Sequence, residues 1–204
     1  MKKLLSILLS TILIFSLVAC GTPKPEETVI AFCENLKELN YAEASALFEF
    51  GKGGFEDIED TDASNAMPEG VEEFFKELAK DIDYKISNVS IEDDIAYVTV
   101  TFNYADISPV MSNVLVDFIG QAFALAFSGA DESATDALFT SLFTEKMTTT
   151  TLNTSTADVE FVCVKKEGEW KLQAFDEDNL IKIENVISFD INKAFDMFNN
   201  ITLK

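Results

Sequence analysis

Apolar positions along this chain follow two different periods, joined by one long stretch with almost no polar interruption. From Pro25 onward, Val29, Phe32, Cys33, Leu36 and Leu39 recur at three- and four-residue spacing, which predicts an amphipathic helix over about 25–39. Pro25 suits a first helical position, and Glu26 and Glu27 complement the positive end of the helix dipole. Asn40-Tyr41-Ala42-Glu43 has the form of a capping box and predicts a second helix over about 41–49, with Ala44, Leu47 and Phe48 inward. Gly51-Lys52-Gly53-Gly54 ends it and lacks the spacing of a phosphate loop. A third helix is predicted from Pro68 to about Lys80, with Val71, Phe74, Phe75 and Leu78 inward.

The period then changes to two. Residues 82–91 read as a strand whose mixed alternation predicts a bulge. Across the Glu92-Asp93-Asp94 turn, Ala96, Val98, Val100, Phe102 and Tyr104 alternate with Tyr97, Thr99, Thr101 and Asn103, which predicts a hairpin with one face on a core. Further on, 156–167 reads as a central strand and 169–175 as its partner across Gly168. Ile183, Val186, Ile187, Phe195 and Phe198 predict a terminal helix interrupted near Ser188.

Between the two sheet segments lies the apolar stretch. Ser108-Pro109 reads as a helix start, and Val110 to Phe127 is apolar except for a narrow stripe of Asn113, Asp117 and Gln121. Eighteen helical residues reach about 27 Å, short for a bilayer crossing, so the pattern predicts a helix buried on most sides. A second helix over about 131–147 turns Leu138, Phe139, Leu142, Phe143 and Met147 inward.

The amino terminus has a different logic. Met1-Lys2-Lys3 precedes an apolar run from Leu4 to Val18, the layout of a secretory signal peptide. Leu17-Val18-Ala19-Cys20-Gly21 resembles the lipobox of bacterial lipoproteins. That resemblance implies diacylglycerol on the Cys20 sulfur, cleavage before Cys20 and attachment to the extracytoplasmic face of the cell membrane. Residues 1–19 are then the leader, 20–24 a tether of about 15 Å, and 25–204 a single domain.

Composition narrows the function. The mature chain carries 13 lysines against 36 acids, a balance of −23, so nucleic acid and anionic headgroups repel it. No histidine and no arginine are present, which excludes Ser-His-Asp and Cys-His catalysis, histidine-ligated zinc and arginine phosphate clamps. The acids of Glu56 to Asp62 fail the EF-hand spacing and read as a solvated loop, leaving no expected metal or cofactor. Cys33 and Cys163 are either a disulfide or two core thiols; the place of Cys33 in an apolar stripe favours the thiol.

Two motifs carry a further resemblance. Pro25-Glu26-Glu27-Thr28-Val29-Ile30-Ala31-Phe32 with Leu39-Asn40-Tyr41-Ala42-Glu43-Ala44, and Lys165-Lys166-Glu167-Gly168-Glu169-Trp170-Lys171-Leu172, are similar to segments of small Gram-positive lipoproteins of unknown function with a nuclear transport factor 2-like (cystatin-like) domain. The resemblance implies an α+β fold: amino-terminal helices packed on a curved antiparallel sheet that forms a cone, with a two-helix hydrophobic insert at about 109–147 and a carboxy-terminal helix. It also implies a pocket or lid to which Tyr84, Tyr97, Tyr104, Phe118, Phe123, Phe139, Phe143 and Trp170 are the candidate contributors. The expected function is a non-catalytic binding module for a small apolar ligand or an envelope partner. The alternatives are a structural, protein-interaction lipoprotein and, less favoured, an isomerase-like enzyme using Tyr84, Tyr97, Tyr104 and Asp106 as acid and base.

Overall fold

The computed structural model describes residues 23–51, 71–129 and 131–195. The leader, Cys20 and the acidic loop at 56–62 lie outside them. Helix α1 spans Pro25–Lys37, α2 Tyr41–Ser45 and α3 Val71–Lys80. Strands β1 (Asp83–Glu92) and β2 (Ile95–Asp106) follow, then helices α4 (Ser108–Ser128) and α5 (Glu132–Thr149). Strands β3 (Asn153–Lys166) and β4 (Glu169–Leu172) precede α6 (Glu177–Ile187). The fold is α+β, with one open antiparallel sheet in the order β1-β2-β3-β4.

The period-two run became β2 for the expected reason. Ala96, Val98, Val100, Phe102 and Tyr104 are buried, while the residues between them are only half-buried. Opposite them across the ladder, Val159, Phe161 and Cys163 of β3 bury the same face. The predicted bulge in β1 is a register break between Ile86 and Asn88. At the β3–β4 turn Glu167 and Gly168 both have positive φ, which suits the right-handed twist of a tight hairpin. Residues 47–49 run parallel to β4 and cover its outer edge, with Glu49 N–H donating to the Leu172 carbonyl at 2.8 Å. β1 forms the other edge of the sheet.

The helices close the core. Val29, Phe32, Cys33 and Leu36 of α1 are buried, as the spacing predicts. The capping box before α2 does not form: the Asn40 amide donates to Glu38 instead, and the helix ends at Ser45. Asp176 caps α6 by accepting from the Asn179 N–H at 2.8 Å. The buried Asn179 then accepts from the Glu160 N–H of β3 at 3.0 Å, so one side chain ties helix to strand. The interruption near Ser188 is real: Phe189 and Asp190 take left-handed conformations before helical structure resumes over 191–195.

The apolar stretch departs from expectation. α4 is not buried on most sides; only Ser108, Val110, Met111 and Val114 are buried, all in its first two turns. Those turns, with Leu142, Phe143 and Met147 of α5, lie on the core beside α3. Beyond them α4 and α5 pair with each other, through Phe118 against Phe139 and a Lys146–Asp117 ion pair of 2.8 Å. Gly129 in the left-handed conformation ends α4, and the Asp131 carboxylate caps α5 by accepting from the Ala134 N–H. The hydroxyl of Ser133, then that N–H, hold this carboxylate below the ordinary carboxylate range. The distal half of the helical hairpin therefore has solvent where a buried helix would have core.

Candidate functional site

The space between α1 and the sheet is filled by aromatic rings. Phe32 meets Phe48, Phe161 and Phe175 edge to face, with centroids 5.8, 5.2 and 6.0 Å apart. Such contacts fix ring positions and leave α1 seated on the sheet.

The three candidate tyrosines are not brought together. Tyr97 lies on the opposite face of β2 from Tyr104, because successive side chains on a strand alternate. Tyr84, on the edge strand, donates to the carboxylate of Glu34 on α1. Burial, then that carboxylate, pushes its phenol well above the ordinary range. Tyr104 donates at 3.1 Å to Asp190, a residue that the sequence reading did not single out. Asp190 is fully buried and also accepts from the hydroxyl of Ser155 and from Lys193, whose Nζ lies at 2.7 Å. Desolvation and the adjacent carboxylate raise the Tyr104 phenol far above its usual value. Asp106, the expected acid or base, instead accepts from the N–H and hydroxyl of Ser108 and turns the chain into α4.

Trp170 also has a local task. It is buried, its Nε1–H donates to the Pro23 carbonyl at 2.9 Å, and Lys165 lies over its ring. It pins the start of the domain to the β3–β4 end of the sheet. Thr28 adds a second tie, donating to the Trp170 carbonyl. Cys33 and Cys163 are free, buried thiols and do not pair. Burial pushes the Cys163 thiol up to about 12, with Glu26 adding to the effect, and raises Cys33 as well. Among the described residues no group of three or more His, Cys, Asp or Glu side chains could hold a metal ion.

The candidate lid residues divide. Phe143 is 2% exposed and packs against Phe74 and Phe75. Phe118 and Phe139 are half-buried against each other. Phe123 is 65% exposed, so it does not close over the core. Beside it runs an open groove of about 620 Å³ between α4 and α5, lined by Gly120, Ala124 and Leu125 on one side and Ala134, Ala137 and Leu138 on the other. α4 is long and apolar enough to cross a membrane by length and composition, and 17% of that stretch is buried within the described residues. It pairs with α5, which carries Asp136, Glu145 and Lys146.

No family model, curated protein or solved structure matches the chain. The geometry alone ranks its features. The Tyr104–Asp190 pair is buried and held by several partners, whereas the α4–α5 groove and the exposed face of α4 have none within the described residues.

Proposed function

We propose that the mature protein is a lipoprotein held on the extracytoplasmic face of the cell membrane by diacylglycerol on Cys20, and that its domain is a non-catalytic protein-docking module. In this reading the domain is a nuclear transport factor 2-like cone and α4–α5 is its helical insert. The observation that carries the docking assignment is the apolar face of α4, where Val116, Phe123 and Phe127 are 55%, 65% and 88% exposed. Scattered apolar residues are normal on a surface, but an aligned set on one helix beside a groove marks an interaction site. The packed ring cluster under α1 and the saturated Tyr104–Asp190 pair support a non-catalytic role.

The same groove favours one second reading, a slot for a small apolar ligand, because its lining is mostly alanine and leucine. A photo-crosslinking residue at position 127 in the full-length protein tests the docking reading on intact membranes. Protein adducts at 127, with none at the exposed Lys85 of β1, are the expected result. Adducts to lipid or small molecules alone would overturn it. Cys20→Ala is expected to release the protein from the membrane fraction or to leave an uncleaved precursor, and normal processing and retention would overturn the anchor.

A further inference from the structure

The exposed face of α4 has a period of its own. Val116, Gly120, Phe123 and Phe127 are separated by four, three and four residues, and all are solvent-exposed. Spacing that alternates four and three is the a/d seam of a coiled coil, a stripe that one helix presents to another. The polar stripe that stands out in the sequence, Asn113-Asp117-Gln121, is a different face, and Asp117 is already taken by Lys146. Nothing within the described residues fills the space over Gly120: a Cβ built there would meet no atom within 4 Å.

We infer that this seam is the contact between two copies of the chain, arranged as an antiparallel pair of α4 helices about a two-fold axis between Gln121 and Ala122. The inference rests on the docking reading and names its partner. The seam is complementary to itself in that arrangement only. Antiparallel coils set an a position against a d position, which places Phe123 over the partner's Gly120 and Phe127 against the partner's Val116. Large then meets small at every level, and each Phe123 ring enters the open space at the edge of the groove beside Ala124 and Ala137. A parallel pair would set Phe123 on Phe123 and glycine on glycine, leaving gaps beside clashes.

Charge agrees. Residues 118–130 contain no charged side chain, so the seam approaches its copy without desolvating an ion. In the antiparallel register Asp117, held by Lys146 off the seam, comes level with the uncharged Ala126 of the other copy. A lipid surface suits the site less well. The hairpin springs from the end of the β2–β3 ladder at Asp106 and Asn153, while the tether leaves from the opposite end at Trp170. Twelve register pairs separate those ends by about 37 Å, and the net charge of the domain keeps its flank off an anionic leaflet.

The contact is small. A phenylalanine can bury roughly 150–250 Å², so two per copy with their small-residue neighbours fall near the lower bound of specific interfaces, about 1,000 Å² in total. Such a pair is weak between dissolved molecules. Anchoring both copies in one membrane confines them and raises their effective concentration, which is where the pairing operates.

The experiment uses two differently tagged full-length copies in the same membrane, one carrying Val116→Cys and the other Phe127→Cys. Both sites are exposed, so the fold is retained, and an unchanged melting temperature checks it. Within one chain the two sites are about 16 Å apart, beyond the reach of a disulfide. Mild oxidation is expected to link the mixed pair at least tenfold more than either variant alone. Phe123→Glu added to both copies should return the linked fraction to background. Linking of Val116→Cys to itself as strongly as to Phe127→Cys would overturn the antiparallel arrangement, and no linking in any mixture would overturn the pairing itself. In that last case, adducts from position 127 to a different protein leave the docking reading standing while the second copy falls. Loss of both removes the two together.

Discussion

Tyr104→Phe and Asp190→Ala test how the carboxy-terminal turn is held. Asp190 is fully buried and accepts from Tyr104, Ser155 and Lys193. Removing the tyrosine hydroxyl deletes one hydrogen bond to a charged group, a loss of about 1.5–3 kcal/mol. Asp190→Ala has a larger effect, because it strands two hydroxyls. Tyr104 is buried and Ser155 partly so, and an unsatisfied buried group costs about 1–3 kcal/mol. Lys193 is half-exposed and returns to water at little cost. The sum for Asp190→Ala is about 2–6 kcal/mol, and because Tyr104 is shared, the double variant should lose less than the two single losses added together. Urea unfolding of the four proteins of this cycle measures both numbers. At about 2–4 °C per kcal/mol for a domain of this size, Tyr104→Phe should lower the melting temperature by roughly 3–12 °C. A loss under about 0.5 kcal/mol for Tyr104→Phe, or strictly additive losses, would refute the view that this cluster is a single fastening.

Phe143→Ala should cost about 3–5 kcal/mol, because the ring is buried among Phe74 and Phe75, whereas Phe123→Ala should change the stability of the dissolved protein by less than about 0.5 kcal/mol; equal losses would contradict the exposure of the hairpin. Asn179→Ala removes the tie between α6 and β3 and should cost about 1–3 kcal/mol by chemical denaturation, most of it from the orphaned Glu160 N–H. Stability should fall in alkali: the Cys163 thiol is raised to about 12 in the fold against about 8.5 unfolded, so its contribution is complete below about pH 8.5 and is lost as pH rises toward 12. Melting temperatures from pH 7 to 11 check this, and Cys163→Ala should flatten the decline. Thiol titration of the mature protein should find no fast-reacting group when folded and two in denaturant, since Cys33 and Cys163 are buried and the proposed lipid would block Cys20; a third would count against the anchor.

The sheet was legible because β2 alternates without fault and because Gly168 and Asp93 mark its turns. The bulge in β1 and the break near Ser188 were legible for the same reason, as local faults in an otherwise regular period. α4 was misjudged in its surroundings, not its existence. Apolar composition records that a helix needs cover; it does not say whether the cover is the same chain's core. The four-three spacing of Val116, Gly120, Phe123 and Phe127 was present in the sequence but sat inside a run so apolar that no stripe stood out. Asp190 was hidden by distance: its partners Tyr104 and Ser155 lie 86 and 35 residues away, and nothing local marks a carboxylate destined for burial. The tyrosines looked alike because a strand's alternation fixes which residues share a face, not which face meets a ligand.

Among the described residues no strand pairs with the outer edge of β1, which has a consequence for crowding. If the proposed anchor confines the protein to two dimensions, it meets its neighbours far more often than a dissolved molecule does, and an edge strand ten residues long is a template on which chains could add without end. The register break at Ile86 and Asn88 kinks that edge, and Asp83, Lys85 and Glu92 set charges along it. A straight incoming strand would lose its hydrogen bonds at the kink and bury ions beside it. Growth along the sheet is thus arrested at the first step. A two-fold contact through the hairpin uses up its own surface when it forms, so an assembly built from this molecule would be finite and counted in pairs, however densely the membrane is populated.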